Sequence, residues 1–342
     1  MYFDDIWLAE RVKMNILVIG LGSMGKRRIR LLKEMFPDFD IYGVDDKMER
    51  RNEVSELYGI VCIETIKQIN KMVDIDVAFV CTPPLLHSKI ITECLSYKWD
   101  VFTELNLVSD GYEHNIRLAR ENGCKLFLSS TFLYREEIRY IRGRIDDNIK
   151  WNYIYHIGQY LPDWHPWESY KDFFVGNKRT NGCREIMAIE LPWITETFGK
   201  VADFNVVSDK MTSLNIEYND NYLLQITHEN GCKGVLVVDV VSPVAIRRLE
   251  VYGEQRYLQW NGTPDSLFEY DTELHELKKV TLNEIEEHKE GYSAFIVENA
   301  YRNEIKEFFD IILDGKEQSY GFEQDLETLK LIDSLEGKAW MK

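Results

Sequence analysis

Gly20, Gly22 and Gly25 are spaced as G-x-G-x-x-G between an apolar run, Ile16-Leu17-Val18-Ile19, and a stretch with helical spacing through Ile29, Leu32 and Phe36. The apolar run reads as a strand buried on both faces. In a strand–turn–helix of this kind the first glycine permits the tight turn. The second lets a pyrophosphate approach the backbone, and the third lets helix and strand pack closely. Backbone N–H groups of Gly22, Ser23, Met24 and Gly25, at the positive end of the helix dipole, then hold the anion. Roughly 20 residues beyond the glycines, Asp45 closes a second strand over 39–44, where a carboxylate accepts hydrogen bonds from ribose hydroxyls and repels a 2′-phosphate. The pattern predicts NAD in preference to NADP, with Lys47, Arg50 and Arg51 near enough to soften that preference.

The surrounding pattern supplies the scaffold such a site needs. Strand-like runs at 61–63, 75–81, 101–104 and 125–129 alternate with helical stretches at 65–72, 85–97 and 112–122, which predicts crossover connections and a doubly wound parallel sheet over residues 14–132. A linking helix is expected over 135–145. From Trp151 the apolar residues alternate, and turn signals at Asn219-Asp220, Glu229-Asn230-Gly231, Gly253-Glu254 and Asn261-Gly262 separate strand-like runs at 223–228, 234–241, 248–252 and 257–260. A helix at 185–198 and two closing helices at 299–313 and 323–335 complete an α+β domain over 133–342 with a large, mostly antiparallel, open-faced sheet. The closing helices are free to pack back on the first domain, and residues 1–13 read as a tail. A chain of 342 residues fits two domains.

The formal charge of −17 argues against nucleic acid and anionic membranes as partners. Six scattered cysteines without a C-x-x-C pair fit reduced thiols in a cytoplasmic protein. No apolar run is long enough to span a bilayer, no signal peptide is visible, and the histidines show no metal-ligand spacing, so no metal is expected.

A second constellation lies at the carboxyl end of the 75–81 strand, where ligands of open α/β sheets bind. Cys81-Thr82-Pro83-Pro84-Leu85-Leu86-His87 combines two prolines that fix the backbone with a histidine placed to reach a ribose or the nicotinamide edge. Glu104 ends the next strand and is similarly placed. The alternative is a rigid turn carrying a surface histidine.

The glycine motif, the C-T-P-P-x-x-H turn and the acid after the next strand together resemble the Gfo/Idh/MocA family of NAD(P)-dependent sugar and cyclitol oxidoreductases. The run Ile226-Thr227-His228-Glu229-Asn230-Gly231-Cys232-Lys233-Gly234-Val235, the strand-turn Leu249-Glu250-Val251-Tyr252-Gly253-Glu254, and the segment from Glu304-Ile305 to Gly315-Lys316 resemble the family's second half. The resemblance implies a dinucleotide at the sheet's carboxyl edge, a sugar or nucleotide-sugar substrate, and a homodimer or homotetramer formed through the antiparallel sheet. It also exposes departures. The family's E-K-P reads Glu104-Leu105-Asn106, so Leu105 replaces the usual proton-handling lysine. Ile189 and Pro192 fall where the family's His and Asp belong, while Glu185 falls near a further catalytic carboxylate. Hydride transfer from an alcohol still needs a proton acceptor, a contribution of roughly 10²–10⁴-fold.

Replacement candidates cluster in Gly158-Gln159-Tyr160-Leu161-Pro162-Asp163-Trp164-His165-Pro166-Trp167-Glu168-Ser169-Tyr170-Lys171-Asp172, a segment resembling family members of nucleotide-sugar and surface-polysaccharide pathways. Trp164 and Trp167 would stack on sugar faces, and His165, Tyr160 and Lys171, with Glu185, are the proton-transfer candidates. The same aromatic loop would equally pack against the sheet or a neighbouring subunit. Arg184 and Arg179 are candidate substrate-anion ligands; a solvated arginine beside a capping carboxylate is the alternative. The reading is an NAD-dependent oxidoreductase of a sugar, sugar acid or nucleotide sugar in cell-surface polysaccharide biosynthesis. Two alternatives stand beside it: an NAD-binding regulator or scaffold without dehydrogenase activity, and an enzyme using tightly bound NAD transiently for epimerisation or elimination.

Overall fold

A computed structural model of the chain describes residues 13–146, 148–165, 168–282 and 295–340. They divide into two compact units, one running to Ser129 and taking in Glu304–Gln324, the other comprising Ser130–Asn303 and the chain from Asp325 onward.

The first unit is built on six strands: β1 (Asn15–Ile19), β2 (Asp40–Val44), β3 (Val61–Ile63), β4 (Val77–Val80), β5 (Asp100–Thr103) and β6 (Leu126–Leu128). They pair in the order β3-β2-β1-β4-β5-β6, every pair parallel. The crossovers carry α1 (Ser23–Met35), α2 (Met48–Tyr58), α3 (Ile66–Ile69), α4 (Pro84–Ser96) and α5 (Tyr112–Asn122). Strand order reverses between β1 and β4, the switch point at which such sheets open a crevice. Val77 to Val80 and Ile16 to Ile19 are buried throughout, as strands in the middle of a parallel sheet require.

Phe79, Phe102 and Phe127, on adjacent strands, stack with centroids 4.7 and 5.1 Å apart. Phe308, in a later helix α8 (Glu298–Asp314), meets Phe79 and Phe102 edge-on at 5.7 and 5.4 Å. A buried charge cluster ties the same helix to α1. Arg28 Nε donates to Glu104 at 2.6 Å, and Nη2 donates to Glu304 at 2.8 Å and to Ser129 at 3.2 Å. Burial by itself would lower the pKa of the guanidinium, but Glu104 and Glu304 reverse the effect and raise it. Burial lifts Glu304 to about 7 despite the attraction of Arg28.

The second unit contains α6 (Glu136–Arg144), β7 (Asn152–Gly158), α7 (Gly182–Phe198), β8 (Val201–Asp209), β9 (Asn221–His228), β10 (Lys233–Asp239), β11 (Ile246–Gly253), β12 (Arg256–Trp260), β13 (Phe268–Asp271) and β14 (Glu276–Lys279). The sheet runs β14-β13-β12-β11-β7-β10-β9-β8; β7 and β10 pair parallel, the others antiparallel. Tyr153, Tyr155 and Ile157 of β7 are buried on the face that carries α7, where Tyr153 stacks on Phe198 at 4.5 Å and Tyr155 meets Trp193 edge-on at 5.5 Å. Ile154, Leu223, Val235 and Val207 emerge on the opposite face, each at least 40 % exposed. The chain's last helix is α9 (Phe322–Trp340).

Several elements differ from the pattern in the sequence. β8 was not expected, because this edge strand carries a register shift between Val201 and Asp203 and does not alternate cleanly. Nor were β13, whose residues are half-buried, and β14, whose residues are exposed. Asn219-Asp220 is not a hairpin tip. Asp220 is buried, and its carboxylate accepts from the N–H groups of Met211 and Thr212 and from the Thr212 hydroxyl, bracing the long 210–220 connection. α7 starts three residues earlier than expected because Asn181 caps it, its side chain accepting from Arg184 N. The helix expected over 65–72 is the short α3. All six cysteines are unpaired.

Arg28→Met should destabilise the chain by about 3–5 kcal/mol, because it strands two buried carboxylates without their counter-charge. Denaturant unfolding of the full chain measures this; a loss under about 1 kcal/mol would show that the cluster contributes little.

Candidate functional site

The dinucleotide residues of the first unit converge on the carboxyl ends of β1, β2 and β4. Gly20 has φ of +91°, and a Cβ there would stand 2.7 Å from the Cys81 carbonyl oxygen. Gly25 allows the close approach of α1, since a Cβ would come within 1.9 Å of Gly20 O. Gly22 is different. Its φ is −74°, and a Cβ would meet nothing closer than Arg50 Nη1 at 3.9 Å. The protein's own packing therefore does not demand glycine at 22. The open cradle over this residue, beside the start of α1, fits a pyrophosphate lying against the backbone.

Asp45 is buried at the end of β2 and bridges two turns. Oδ2 accepts from Leu21 N at 2.8 Å, and Oδ1 from Lys47 N at 2.9 Å. Each oxygen has a further lone pair for a ribose hydroxyl. Thr82, whose Cγ2 lies 3.0 Å from the Cβ position at Gly20, holds a buried hydroxyl with no partner among the described residues. An orphaned hydroxyl beside an open glycine cradle fits a polar ligand at this edge. Ser23 and Met24 form the first turn of α1, and Pro83 is the N-cap of α4.

The other three expected cofactor residues have partners inside the protein. Cys81 turns its thiol toward Glu104 at 3.8 Å, and burial pushes its pKa well up. The Glu104 carboxylate pairs with Arg28. His87 is buried rather than on the helix surface. Its Nε2 lies 2.6 Å from the Thr82 carbonyl and its Nδ1 2.8 Å from the Asn106 side-chain oxygen position. Burial lowers its pKa, so the ring is neutral, with Nε2–H donating to Thr82. Nδ1 is then an acceptor, and the Asn106 amide suits it with nitrogen in place of oxygen; that nitrogen otherwise has no partner among the described residues. The histidine thus fixes the C-T-P-P turn from behind. Asn106, which with Leu105 breaks the E-K-P pattern, is its partner, a pairing that two residues 19 positions apart do not advertise in the sequence.

In the second unit the candidates separate. Glu185 lies in the first turn of α7, half-buried, with Oε2 enclosed and without a partner among the described residues. Burial alone lifts its pKa to about 8. Ile189 follows one turn later on the same face, also half-buried. Glu190, five residues on, is the opposite case. It is fully buried and accepts from Tyr155 Oη at 2.9 Å, Trp193 Nε1 at 2.7 Å and Arg247 Nη2 at 2.6 Å.

Arg184, a candidate anion ligand, is ion-paired within its own unit. Its guanidinium is buried between Asp333 at 2.6 Å and Glu336 at 2.5 Å, both in α9, so its charge is taken up internally. Arg179 is exposed in a short turn. His165 Nδ1 lies 2.6 Å from Glu168 Oε1, and its ring is 4.1 Å from Phe173. Trp164 donates from Nε1 to the Gln159 carbonyl, and its ring edge lies 3.4 Å from the Cβ position at Gly182, so it packs on the start of α7. Tyr160 is half-buried, with its N–H donating to Ser242 O, and Lys171 is exposed. Trp167 lies outside the described residues.

Comparison with known proteins follows this division. Residues 14–130 match the model of the Gfo/Idh/MocA group, an oxidoreductase family with an NAD-binding Rossmann fold. No protein of curated function matches the sequence. Similar solved structures include an oxidoreductase from Desulfitobacterium hafniense described as NADPH-dependent, at 14% identity and a TM-score of 0.81, covering 96% of each chain. Myo-inositol dehydrogenase from Corynebacterium glutamicum is 16% identical with a TM-score of 0.74, over 96% of this chain and 97% of that one. The WlbA dehydrogenase of Bordetella pertussis, solved with NADH and UDP-GlcNAcA, is 12% identical with a TM-score of 0.73, over 96% and 97%. At such identities the likeness is one of fold.

Gly22→Ala should cost under about 1 kcal/mol of stability, as a changed N-cap does. The same substitution should weaken NADH binding at least about tenfold, read by fluorescence titration; unchanged affinity would remove Gly22 from the cradle. Glu185 predicts a pH dependence. Its ordinary value of 4.5 rises to about 8 in the fold, so the native state holds a proton that the unfolded chain has released. Stability should therefore fall as pH rises between these values, and the slope should flatten in Glu185→Gln. Urea unfolding of both proteins across that window measures the difference.

Proposed function

We propose, on the match of residues 14–130 to the model of the Gfo/Idh/MocA oxidoreductases, that the chain is an NAD-dependent oxidoreductase acting on a sugar, sugar acid or nucleotide sugar. Bound NAD supplies the hydride acceptor or donor. What the chain must add is a cradle for the dinucleotide and a group that takes or gives the hydroxyl proton. For the cradle we assign Gly20, Gly22, Ser23, Met24, Gly25, Asp45, Thr82 and Pro83, with Cys81, His87 and Glu104 behind them.

The observation that carries the catalytic assignment is the carboxyl of Glu185, whose Oε2 is enclosed and has no partner among the described residues and whose pKa burial raises to about 8. A carboxyl with that pKa is mostly protonated at neutral pH and gives its proton to a developing alkoxide when a carbonyl is reduced. Ionised, it takes the hydroxyl proton when an alcohol is oxidised, and a value near the operating pH serves both directions. Leu105 and Ile189, in the slots of the family's lysine and histidine, are apolar and do neither. Glu185 leans from the turn before Ile189 and offers a carboxyl on the same face.

The sugar class is supported by the inositol and UDP-sugar dehydrogenases of the same fold. A role in cell-surface polysaccharide biosynthesis, in the cytoplasm, is the finer form of this reading. A homodimer or homotetramer through the outer sheet face is supported by its apolar rows, where Val207 lies opposite Leu223 and Val235 opposite Ile154. The loss of both usual proton groups favours a second reading, in which the chain binds NAD without net dehydrogenation, as a regulator or through a closed redox cycle.

Glu185→Gln should lower turnover about 10²–10⁴-fold while leaving NADH affinity within twofold. Native mass spectrometry of the purified protein comes first, since a retained nucleotide sugar identifies the substrate for that assay. Full turnover in the variant would remove Glu185 from the chemistry. A retained NAD with no net NADH production on any candidate sugar would favour the second reading.

A further inference from the structure

The proton of Glu185 is held against the tendency of its own position. The residue lies in the first turn of α7, where the partial positive charge of a helix start favours an ionised carboxyl. Burial is the one cause that raises its pKa, so the enclosure of Oε2 outweighs the helix start. That enclosure depends on how firmly the first turn is held.

Two sets of contacts hold it. One is apolar: a Cβ at Gly182 would come within 2.9 Å of Val240 Cγ1 and 3.1 Å of Leu161 Cδ1. The other is polar and comes from α9. Glu336 Oε1 accepts from Asn181 Nδ2 at 2.8 Å, and Oε2 accepts from Arg184 Nη1 at 2.5 Å. Asn181 Oδ1 accepts in turn from Arg184 N at 2.8 Å, which closes a ring of hydrogen bonds from the N-cap to the third helical residue. Asp333, one turn earlier in α9, accepts from Arg184 Nη2 at 2.6 Å. Asn181 and Arg184 are buried, while the side chains of Glu336 and Asp333 are 17% and 55% exposed.

The other titratable groups around the start of α7 are engaged elsewhere or neutral. Asp239 of β10 pairs with His156, Asp220 accepts from Met211 and Thr212, and Glu190 pairs with Arg247. Burial pushes Cys183, Tyr218 and Tyr222 up, so these three stay neutral. Lys178 and Arg179, in the turn before α7, are exposed.

We propose that Glu336 and Asp333 are positioning residues for Glu185: through Arg184 and Asn181 the closing helix clamps the first turn of α7 and keeps the carboxyl enclosed. The inference rests on the proton-transfer role proposed for Glu185 and adds the part of the chain that sustains it. The clamp also matches the charge of Arg184, the residue before Glu185, with two carboxylates. Without them the turn loosens, water reaches Oε2, and an uncompensated cation stands one residue from the carboxyl. Both changes favour the ionised form.

The test is NMR of the full chain with labelled glutamate carboxyls, titrated with pH, the Glu185 signal being identified by its loss in Glu185→Gln. Wild type should titrate at about 8. Glu336→Gln, which keeps the shape and loses the charge, should lower that value by about one unit or more. Asp333→Asn, at the more exposed position and so the milder change for the fold, should lower it by less. Asp333→Glu, which retains a carboxylate, should leave it unchanged. A reduced thermal midpoint in Glu336→Gln and Asp333→Asn with the Glu185 value unmoved would make α9 a brace only and overturn the proposal. A wild-type value near the ordinary 4.5 would remove the proton-transfer reading of Glu185, and the proposal with it.

Discussion

A fully buried guanidinium governs the first unit. Arg28 has no access to water, so its charge must be met by neighbours, and they come from distant parts of the chain: Glu104 at the end of β5, Ser129 just after β6, and Glu304 in α8. A buried pair broken on one side is expensive, which makes these elements interdependent. Arg28 belongs to the helix that opens at the glycine turn, so the cluster also fixes the direction in which that turn presents its N–H groups. Glu304 lies 276 residues from Arg28, and the dinucleotide unit is therefore not finished until α8 has been made.

Around this anchor, polar groups fall into two kinds. Glu190 and Glu185 stand on one helix five residues apart. Glu190 faces the sheet, where Tyr155, Trp193 and Arg247 meet its carboxylate and make it a tie between α7, β7 and β11. Glu185 has an enclosed Oε2 that meets no partner among the described residues, and burial raises its pKa to about 8. Identical side chains take opposite roles because their partners differ. The same contrast separates Arg184, enclosed by two carboxylates of α9, from Arg50, loosely paired at the rim of the cradle. Groups with all their bonds made hold the fold together. Those left with an open valence are where a ligand or a proton has something to gain.

The departures from the family pattern follow the same logic. Asn106 stands where a proline is usual, and it closes a buried pair with His87 that orders the turn after β4. A change at one position of a site is tolerated when the neighbouring hydrogen bonds can be completed in another way.

How much of this was legible in the chain depends on the range of the interaction concerned. The parallel sheet, the strand–turn–helix at the glycines and the alternation of β7, β9 and β10 are written in local patterns: glycine spacing, apolar runs and period-two alternation. The edge strand β8 escaped because a bulge breaks its period, and Asp220 was misread as a turn residue because its three hydrogen bonds are made to a loop nine residues upstream. Partners were beyond reach altogether. That His87 faces Asn106, that Arg184 pairs with Asp333 and Glu336, and that Glu185 Oε2 is left without a partner among the described residues are matters of which surfaces meet after folding. Residue type and spacing determine what a side chain is able to do; the tertiary structure, by choosing its neighbours and how much water reaches it, decides which of those capacities is used.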